Sequence, residues 1–314
     1  MTGPMRTLAI DAGQSTVKLR HTENGRSSEW TVPGIRTDRP LPPQLIAIVA
    51  QAAADGRAFE QVALGVSGLE SGGDESGLLL EATRAHGVSA VHLAHDSITA
   101  FLGTLGDGRG AVVAAGTGVV TLAVGRTEVA RVDGWGHLIG DAGSGFWIGR
   151  AAFDAVMRAH DGRGEATALT ALLAADFPDL ERAYLELQTD PDRVSRTAAY
   201  ARTVAEAAAD GDAVAAAILE RAGRELALSA VAGLRRTGEA EAAAPRVRGI
   251  GGMFGAEGLA AAFVDETRAL LPDADVGIGD AAPLDGAHEL PRVDPGSALA
   301  AHIAVARTLN VSAS

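Results

Sequence analysis

The sequence has no cysteine among its 314 residues. Disulfides, iron–sulfur clusters and thiolate zinc sites are therefore excluded. Positive charge is also scarce, because 27 Lys and Arg stand against 40 Asp and Glu and leave a net charge of −13. Such a chain lacks the basic stripe that binds nucleic acid or an anionic membrane, so we expect neither as a partner.

Long hydrophobic runs are missing as well. No stretch approaches the roughly 20 apolar residues of a membrane-spanning helix. A strand is predicted from Leu8, which leaves no room before it for a signal peptide. We therefore expect a cytoplasmic protein.

Two familiar phosphate-binding motifs are absent. The sequence contains no Gly-x-x-x-x-Gly-Lys-Ser/Thr loop and no strand–Gly-x-Gly-x-x-Gly–helix unit. What it does contain is a pair of near-copies, LAIDAGQSTVKL at residues 8–19 and VVAAGTGVVTLAV at residues 112–124. Each combines an apolar run, a tight Gly/Ser/Thr turn and a second β-branched run, which predicts a hairpin whose tip offers N–H groups and hydroxyls to an anion. Two such hairpins suggest two related domains that grip one polyphosphate.

The rest of the sequence alternates strand and helix signals. Apolar runs at 61–66, 90–94 and 247–252 predict buried strands. Helix patterns and their caps predict helices at 40–54, 75–86, 95–105, 194–209, 212–236, 256–270 and 296–308. Residues 106–110 have the composition of a boundary between two halves.

Six segments, taken in order, resemble the N-acetylglucosamine kinase branch of the actin-like sugar-kinase superfamily, which is grouped with the BadF/BadG-type ATPases. The longest and most specific is GWGHLIGDAGSGFWIG at 134–149. The others are DAGQST at 11–16, GVSGL at 65–69, HDS at 95–97, AGTG at 115–118 and GIGGMFG at 249–255.

The resemblance implies an α/β protein of two actin-like (ribonuclease-H-like) domains with a cleft between them. The N-terminal domain is expected at 1–108 plus about 295–314. The C-terminal domain is expected at 109–294 and includes a helical insertion. The sequence leaves a homodimer open.

The resemblance also implies an ATP and Mg²⁺ site. Asp11 would orient the Mg²⁺ ion, although a turn-capping aspartate is the plainer interpretation of the residue by itself. Lys18 would add positive charge beside the phosphates, or it is simply a solvated lysine. The residues expected to wrap the nucleotide are Gly13, Gln14, Ser15 and Thr16 in the first hairpin, Gly116, Thr117 and Gly118 in the second, and Gly251, Gly252, Met253 and Phe254 around adenosine.

Asp96 is the residue expected to be catalytic, and also to contact the substrate. In the family the matching aspartate accepts the proton of the attacking sugar hydroxyl, and capping of the following helix is compatible with that role. Ser67, His137 and Asp141 are further candidates for sugar contacts. The sequence departs from the family pattern next to Asp141, where Ala142 replaces a glutamate.

The resulting functional expectation is an ATP-dependent amino-sugar kinase. Glucosamine, phosphorylated on its C6 hydroxyl, is favoured as the acceptor because one carboxylate near the sugar is lost and no segment is dedicated to an acetamido group. N-acetylglucosamine kinase is the first alternative. The second alternative is a non-catalytic sugar-binding regulator of the same fold. The electron-transfer ATPases of the broad family need cluster-binding cysteines, which this sequence lacks.

Overall fold

The computed structural model describes residues 6–69, 74–279 and 283–308. The chain divides into two compact units, one formed by Met1–Gly108 with Ala281–Ser314 and the other by Arg109–Asp280. A six-stranded sheet and a five-stranded sheet occur in the described residues. The predicted α/β fold is confirmed.

Strands and helices alternate along most of the chain. The strands are β1 Thr7–Ala12, β2 Thr16–Glu23, β3 Arg26–Pro33, β4 Gln61–Val66, β5 Ala90–His95, β6 Gly110–Ala115, β7 Val119–Val124, β8 Val129–Val132, β9 Arg246–Ile250, β10 Asp275–Ile278 and β11 Ala304–Arg307. The helices are α1 Leu41–Ala54, α2 Glu75–Thr83, α3 Asp96–Leu105, α4 Gly145–His160, α5 Leu169–Asp176, α6 Ala183–Thr189, α7 Arg193–Ala209, α8 Ala213–Thr237, α9 Glu257–Leu270 and α10 Pro283–Glu289.

The first unit is built on a mixed sheet with the strand order β11-β5-β4-β1-β2-β3. β1, β2 and β3 form an antiparallel meander, whereas β1, β4 and β5 run parallel. The register pairs Asp11 with Gly65, and Gly65 with Ala94. The carboxyl ends of three neighbouring strands therefore meet at one edge of the sheet, where ligand sites of open α/β sheets lie.

Small residues hold α3 close to this sheet. A Cβ added to Gly65 would lie 2.2 Å from Thr99 Oγ1 of α3. A Cβ added to Gly286 of α10 would lie 1.7 Å from the Thr99 carbonyl oxygen. Glycine is required at both positions because any side chain would push α3 away, and the start of α3 carries Asp96.

The second unit has a five-stranded sheet in the order β10-β9-β6-β7-β8. Here β6 pairs antiparallel with β7 and parallel with β9. The helices α4, α7, α8 and α9 supply much of one continuous apolar core with β6 and β7. The break predicted between the two longest helices falls where expected, since α7 ends at Ala209 and Gly211 has φ +94°.

The predicted helix at 296–308 is wrong. Only a short 3₁₀ turn, Ala298–His302, precedes β11, which pairs antiparallel with β5. Without β11, the backbone N–H and C=O groups along one side of the buried strand β5 would have no partner strand. Pairing of these groups outweighs the local helix propensity of residues 296–308. The chain also rejoins the first unit earlier than residue 295, because Leu284 and Ala287 of α10 pack on Ala9 of β1.

Among the residues that the structure describes, no helix is long and apolar enough to cross a membrane.

Candidate active site

Three polar side chains meet at the carboxyl edge of the first sheet. Asp11 is the last residue but one of β1, Ser67 follows β4, and Asp96 follows β5. The Ser67 N–H donates to the Ala12 carbonyl at 3.0 Å. The Ser67 hydroxyl donates to Asp96 Oδ2 at 2.5 Å. The sheet register thus brings together residues that are far apart in sequence.

Asp96 begins α3, and His95 stands immediately before it. His95 Nδ1 lies 2.9 Å from Asp96 Oδ1. Burial by itself would raise the pKa of Asp96, but the neighbouring His95, the Ser67 hydroxyl and the Ser97 N–H outweigh it and lower the pKa. Asp96 is therefore an ionised carboxylate at neutral pH, as a proton acceptor must be.

The pKa of Asp11 is shifted in the opposite direction from that of Asp96. Burial raises the pKa of Asp11 to about 6; the Asp96 charge raises it as well, whereas the Lys18 charge opposes both. Lys18 is the direct partner of Asp11 in the β1–β2 ladder. It is also the single lysine in the whole sequence, a signal that sequence reasoning overlooked.

The turn between β1 and β2 is exposed at Gln14, Ser15 and Thr16. It is supported from behind by Gly34, where an added Cβ would lie 2.0 Å from the Gln14 carbonyl oxygen. The Ile35 N–H donates to the Gly13 carbonyl at 3.0 Å. These two contacts fix the backbone of the turn. The hydroxyl-bearing residues Ser15 and Thr16 are exposed to solvent, where an anion could bind.

The second hairpin turn, between β6 and β7, is tied to the start of α4. The Gly145 N–H donates to the Gly116 carbonyl at 2.8 Å, and the Phe146 N–H donates to the Thr117 carbonyl at 3.0 Å. The Gly116 N–H donates to the Gly118 carbonyl at 2.8 Å. These bonds use the carbonyls of the turn and leave out the Thr117 and Gly118 N–H groups, which can serve an anion.

The glycine run after β9 lies beside this second hairpin because β9 is parallel to β6. Gly251 has φ +99°, and an added Cβ would lie 2.3 Å from the Ala115 carbonyl oxygen. Met253 Sδ lies 3.2 Å from the position of a Cβ at Gly145. Phe254 differs from its neighbours, since its ring is buried against Phe263 in the core. Only the backbone of Phe254 is therefore available to a nucleotide.

Asp141 is 8% exposed and has φ +58°. Its Oδ1 accepts the Gly136 N–H at 3.2 Å. Its carboxylate also lies against Gly118, where an added Cβ would be 2.8 Å from Oδ2. Burial and the charge of Asp133 raise the pKa of Asp141. Asp141 thus ties the glycine-rich loop to the second hairpin, a structural duty that the sequence did not reveal.

Asp133 was missed in the sequence, yet it organises this loop. The Asp141 N–H donates to Asp133 Oδ1 at 2.8 Å, and the Ala142 N–H donates to Oδ2 at 2.9 Å. Asp133 has φ +56°, in the left-handed region that aspartate tolerates. A lone acidic residue ahead of a glycine is a common turn residue, so only the fold could identify its partners.

Around this anchor the loop presents aromatic and aliphatic side chains. His137 packs edge-on against Phe146 at a centroid distance of 4.8 Å. The Trp135 side chain is 59% exposed, with the Arg131 guanidinium over its ring. Leu138 and Ile139 are each 85% exposed.

The side chains near Asp11 could supply only part of the oxygen ligands that a magnesium ion requires. In the described part of the chain, no group of three or more His, Cys, Asp and Glu side chains could hold a metal together. A divalent ion at Asp11 would therefore draw most of its oxygen ligands from phosphates and water, as Mg²⁺ does at nucleotide sites.

Two curated proteins are similar to part of this chain. The N-acetylmuramic acid/N-acetylglucosamine kinase of Clostridium acetobutylicum is 32% identical over 182 residues, which cover 54% of this chain and 56% of that protein. The N-acetyl-D-glucosamine kinase of Dictyostelium discoideum is 36% identical over 137 residues, or 43% of this chain and 40% of that protein. The chain thus matches about half the length of these curated relatives.

Solved structures establish the fold. A Chromobacterium violaceum protein that carries the name N-acetylglucosamine kinase superposes with a TM-score of 0.69 at 22% identity, over 91% of this chain and 98% of that one. A ROK family glucokinase from Streptomyces griseus, solved with glucose and AMPPNP, superposes with a TM-score of 0.56 at 17% identity, over 92% and 100%. The fold is therefore the actin-like fold of sugar kinases.

The family model for BadF/BadG/BcrA/BcrD ATPases matches residues 35–280. That range includes Ser67, Asp96 and Asp141, and it begins after the first hairpin. Together with the geometry of the two hairpins, the match leads to one conclusion: this chain belongs to the BadF/BadG/BcrA/BcrD ATPase family.

Proposed function

We propose that the protein is an ATP-dependent amino-sugar kinase that transfers the γ-phosphoryl group to the C6 hydroxyl of its acceptor. The observation that carries this proposal is the meeting of Asp11, Ser67 and Asp96 at the ends of three neighbouring strands. Phosphoryl transfer requires a positioned proton acceptor and a place for a divalent ion, and it requires little covalent chemistry from the protein.

Asp96 acts as the proton acceptor in this proposal. Its lowered pKa keeps it ionised, and its bond to the Ser67 hydroxyl fixes the direction of the carboxylate. As the hydroxyl oxygen attacks the γ-phosphorus, its proton passes to Asp96 and the bond to ADP breaks. Ser67 also stands where a sugar hydroxyl would approach, which supports its assignment to the substrate.

The two hairpin turns bind the phosphates of ATP in this proposal. Gly13, Gln14, Ser15 and Thr16 contribute the first turn and Lys18 its charge, while Gly116, Thr117 and Gly118 form the second. Asp11 orients Mg²⁺, which would neutralise charge on the phosphates. The backbone at Gly251, Gly252 and Met253 lies next to the second hairpin, as an adenosine contact requires; Phe254 takes part through its backbone only.

The acceptor is an amino sugar, with two candidates. Glucosamine was expected from Ala142, which leaves one carboxylate fewer beside Asp141. The names of the curated relatives favour N-acetylglucosamine instead. His137 and Asp141 are assigned to the sugar in either case, with Asp141 acting through the loop that it holds.

A coupled ADP assay over glucose, glucosamine, N-acetylglucosamine, N-acetylmuramic acid and mannosamine tests the kinase proposal. We expect ADP release that depends on one of the amino sugars, with the product phosphorylated at C6 by mass spectrometry and NMR. Binding of a sugar without any phosphorylated product would favour the regulator of the same fold.

The single lysine provides a test of the nucleotide site that does not depend on turnover. An amine-selective acylating reagent can modify only Lys18 and the α-amino group of this sequence. Mg·ATP should slow the acylation of Lys18 at least about fivefold and leave the α-amino group unaffected as an internal control. Equal rates with and without Mg·ATP would remove Lys18 from the phosphate site.

A further inference from the structure

The glycine-rich loop of the second unit has polar side chains on its inside and apolar side chains on its outside. Asp133 accepts the Asp141 N–H at 2.8 Å, and Asp141 is only 8% exposed. Leu138 and Ile139 are each 85% exposed, and Trp135 follows at 59% among the large hydrophobic side chains of the described residues. This arrangement reverses the usual distribution of polar and apolar side chains, so folding alone does not account for it.

The backbone that carries these apolar side chains is a closed turn. The Gly140 N–H donates to the Gly136 carbonyl at 2.8 Å, and the Ile139 N–H donates to the same carbonyl at 3.3 Å. The turn also closes tightly on the anchoring carboxylate, since a Cβ added to Gly140 would lie 2.5 Å from Asp133 Oδ1. Leu138 and Ile139 therefore lie at the tip of a hydrogen-bonded turn, and their exposure is part of its structure.

Neighbouring exposed apolar side chains favour a ligand that removes them from water. In the proposed function this loop already holds the sugar through His137 and Asp141. The ring of an amino sugar carries mostly hydroxyls, whereas an N-acyl group ends in an alkyl group. A free ammonium would lose hydration against aliphatic side chains and gain no hydrogen bond from them. Both curated relatives are named as kinases of N-acetylated sugars, which agrees with an acyl group as the occupant.

We infer that Leu138 and Ile139 are specificity-determining residues that bind the N-acyl group of the acceptor, and that they accept acyl chains longer than acetyl. The inference rests on the proposed kinase function and names its substrate class as 2-acylamino sugars. Two side chains that are each 85% exposed offer more apolar surface than one acetyl methyl group covers. An exposed turn also sets no wall against further methylene groups, unlike a closed pocket. The acyl group takes no part in the phosphoryl transfer itself.

Steady-state kinetics with Mg·ATP over glucosamine and its N-acetyl, N-propanoyl and N-butanoyl derivatives tests this inference. We expect KM to fall about two- to fourfold for each added methylene group, as for burial of that group, and KM for glucosamine to be at least about tenfold above that for the N-acetyl sugar. The kcat values should agree within about threefold, because the acyl group contributes binding only. A KM that stays level or rises with chain length would overturn the inference and leave the kinase proposal standing.

A double variant, Leu138→Gln with Ile139→Thr, makes the tip of the turn polar. It should remove most of the dependence of KM on acyl length and change KM for glucosamine less than about twofold. Because both side chains are exposed, its Tm should stay within about 2 °C of the wild type. Leu228→Gln, at a 47% exposed leucine of α8, is the matched control and should keep the full dependence. Equal dependence in the double variant and the wild type would overturn the inference.

Calorimetric titration with the same four sugars provides a measurement that does not depend on turnover. We expect Kd to follow the same order as KM, and the heat-capacity change of binding to become more negative with acyl length, as burial of apolar surface requires. Binding that strengthens with acyl length without any phosphorylated product would support the acyl-binding surface and overturn the kinase proposal. If none of the four sugars binds and none is phosphorylated, the inference and the kinase proposal both fail.

Discussion

Asp11 and Lys18 face each other as direct partners across the β1–β2 ladder. Burial raises the pKa of Asp11 to about 6, and the Lys18 charge is the force that opposes this rise. The single lysine of the sequence is therefore placed where it favours the ionised form of the proposed magnesium-orienting carboxylate. The protonation state of Asp11, which Lys18 influences, should therefore affect both the free energy of unfolding and the activity.

Replacing Asp11 by Asn should stabilise the protein and abolish its activity. The folded pKa of about 6 lies above the reference value of 3.8. The folded state thus binds the additional proton between these values, and its stability declines as the pH rises through about 6. At pH 8 the substitution should add roughly 1–3 kcal/mol to the free energy of unfolding in urea titrations. A destabilised Asp11→Asn would contradict this reasoning.

The activity of the wild type should fall as the pH decreases through about 6, because Asp11 is then protonated. Lys18→Met should move this acidic limb to higher pH, since the charge that lowers the pKa of Asp11 is removed. Lys18→Arg is the matched control and should leave the limb within about 0.3 units of the wild type. The pH dependence of kcat/KM for the three proteins, which reports the pKa values of the free enzyme, provides the comparison.

Asp96→Asn should lower kcat by roughly 10²–10⁴ through loss of the proton acceptor. ATP binding, measured by calorimetry, should be nearly unchanged. Ser67→Ala should have a smaller effect, since it removes one hydrogen bond to the carboxylate and keeps the base. Asp154→Asn, on the exposed face of α4, serves as the control. More than a tenth of wild-type kcat in Asp96→Asn would exclude Asp96 as the base.

Metal removal should abolish turnover. Activity is expected to vanish in excess chelator and to return with Mg²⁺ or Mn²⁺, because the carboxylate at Asp11 and the phosphates of ATP supply only oxygen ligands. Elemental analysis of the purified protein accompanies the assay. Stoichiometric zinc that turnover requires would contradict the proposed site.

Asp133→Ala should disturb the glycine-rich loop. It removes the acceptor of the Asp141 and Ala142 N–H groups, and alanine is disfavoured at φ +56°. We expect a loss of roughly 1–3 kcal/mol in unfolding free energy and a higher KM for the sugar. Asp133→Asn keeps one acceptor oxygen and tolerates the backbone, so its effects should be about half as large. Equal stability of the alanine variant and the wild type would show that the loop is held by other contacts.

His92 provides an acid-sensitive point in the first sheet. It is 2% exposed on β5, and burial followed by the Arg307 charge lowers its pKa to about 4. The unfolded chain, with an ordinary histidine pKa of about 6.5, binds the proton more readily, so stability is lost as the pH falls from about 6.5 to about 4. At pH 5 this should cost about 2 kcal/mol. His92→Leu should lack this component when unfolding is compared at pH 7 and pH 5.

Several elements could be predicted closely because their signals are local. The hairpins at residues 8–19 and 112–124, the helix that begins at Asp96, and the break at Gly211 all follow from turn chemistry, capping and hydrophobic periodicity. The helix predicted at 296–308 by the same reasoning is wrong, because part of this segment forms the strand β11 that pairs with β5. Helix propensity depends only on residues that are close in sequence, so it carries no information about pairing with a distant strand.

The amino-acid sequence by itself determined the duplicated phosphate hairpins, the absence of thiolate chemistry and the family resemblance, because these depend on residue type and short spacing. Only the tertiary structure decided that Asp96 accepts a hydrogen bond from Ser67, that Asp133 supports Asp141, and that the side chain of Phe254 belongs to the core. The first of these relationships arises from strand order and register, because Ser67 and Asp96 follow the neighbouring strands β4 and β5. It is set by which backbones pair across the sheet, and no local pattern in the sequence encodes that pairing.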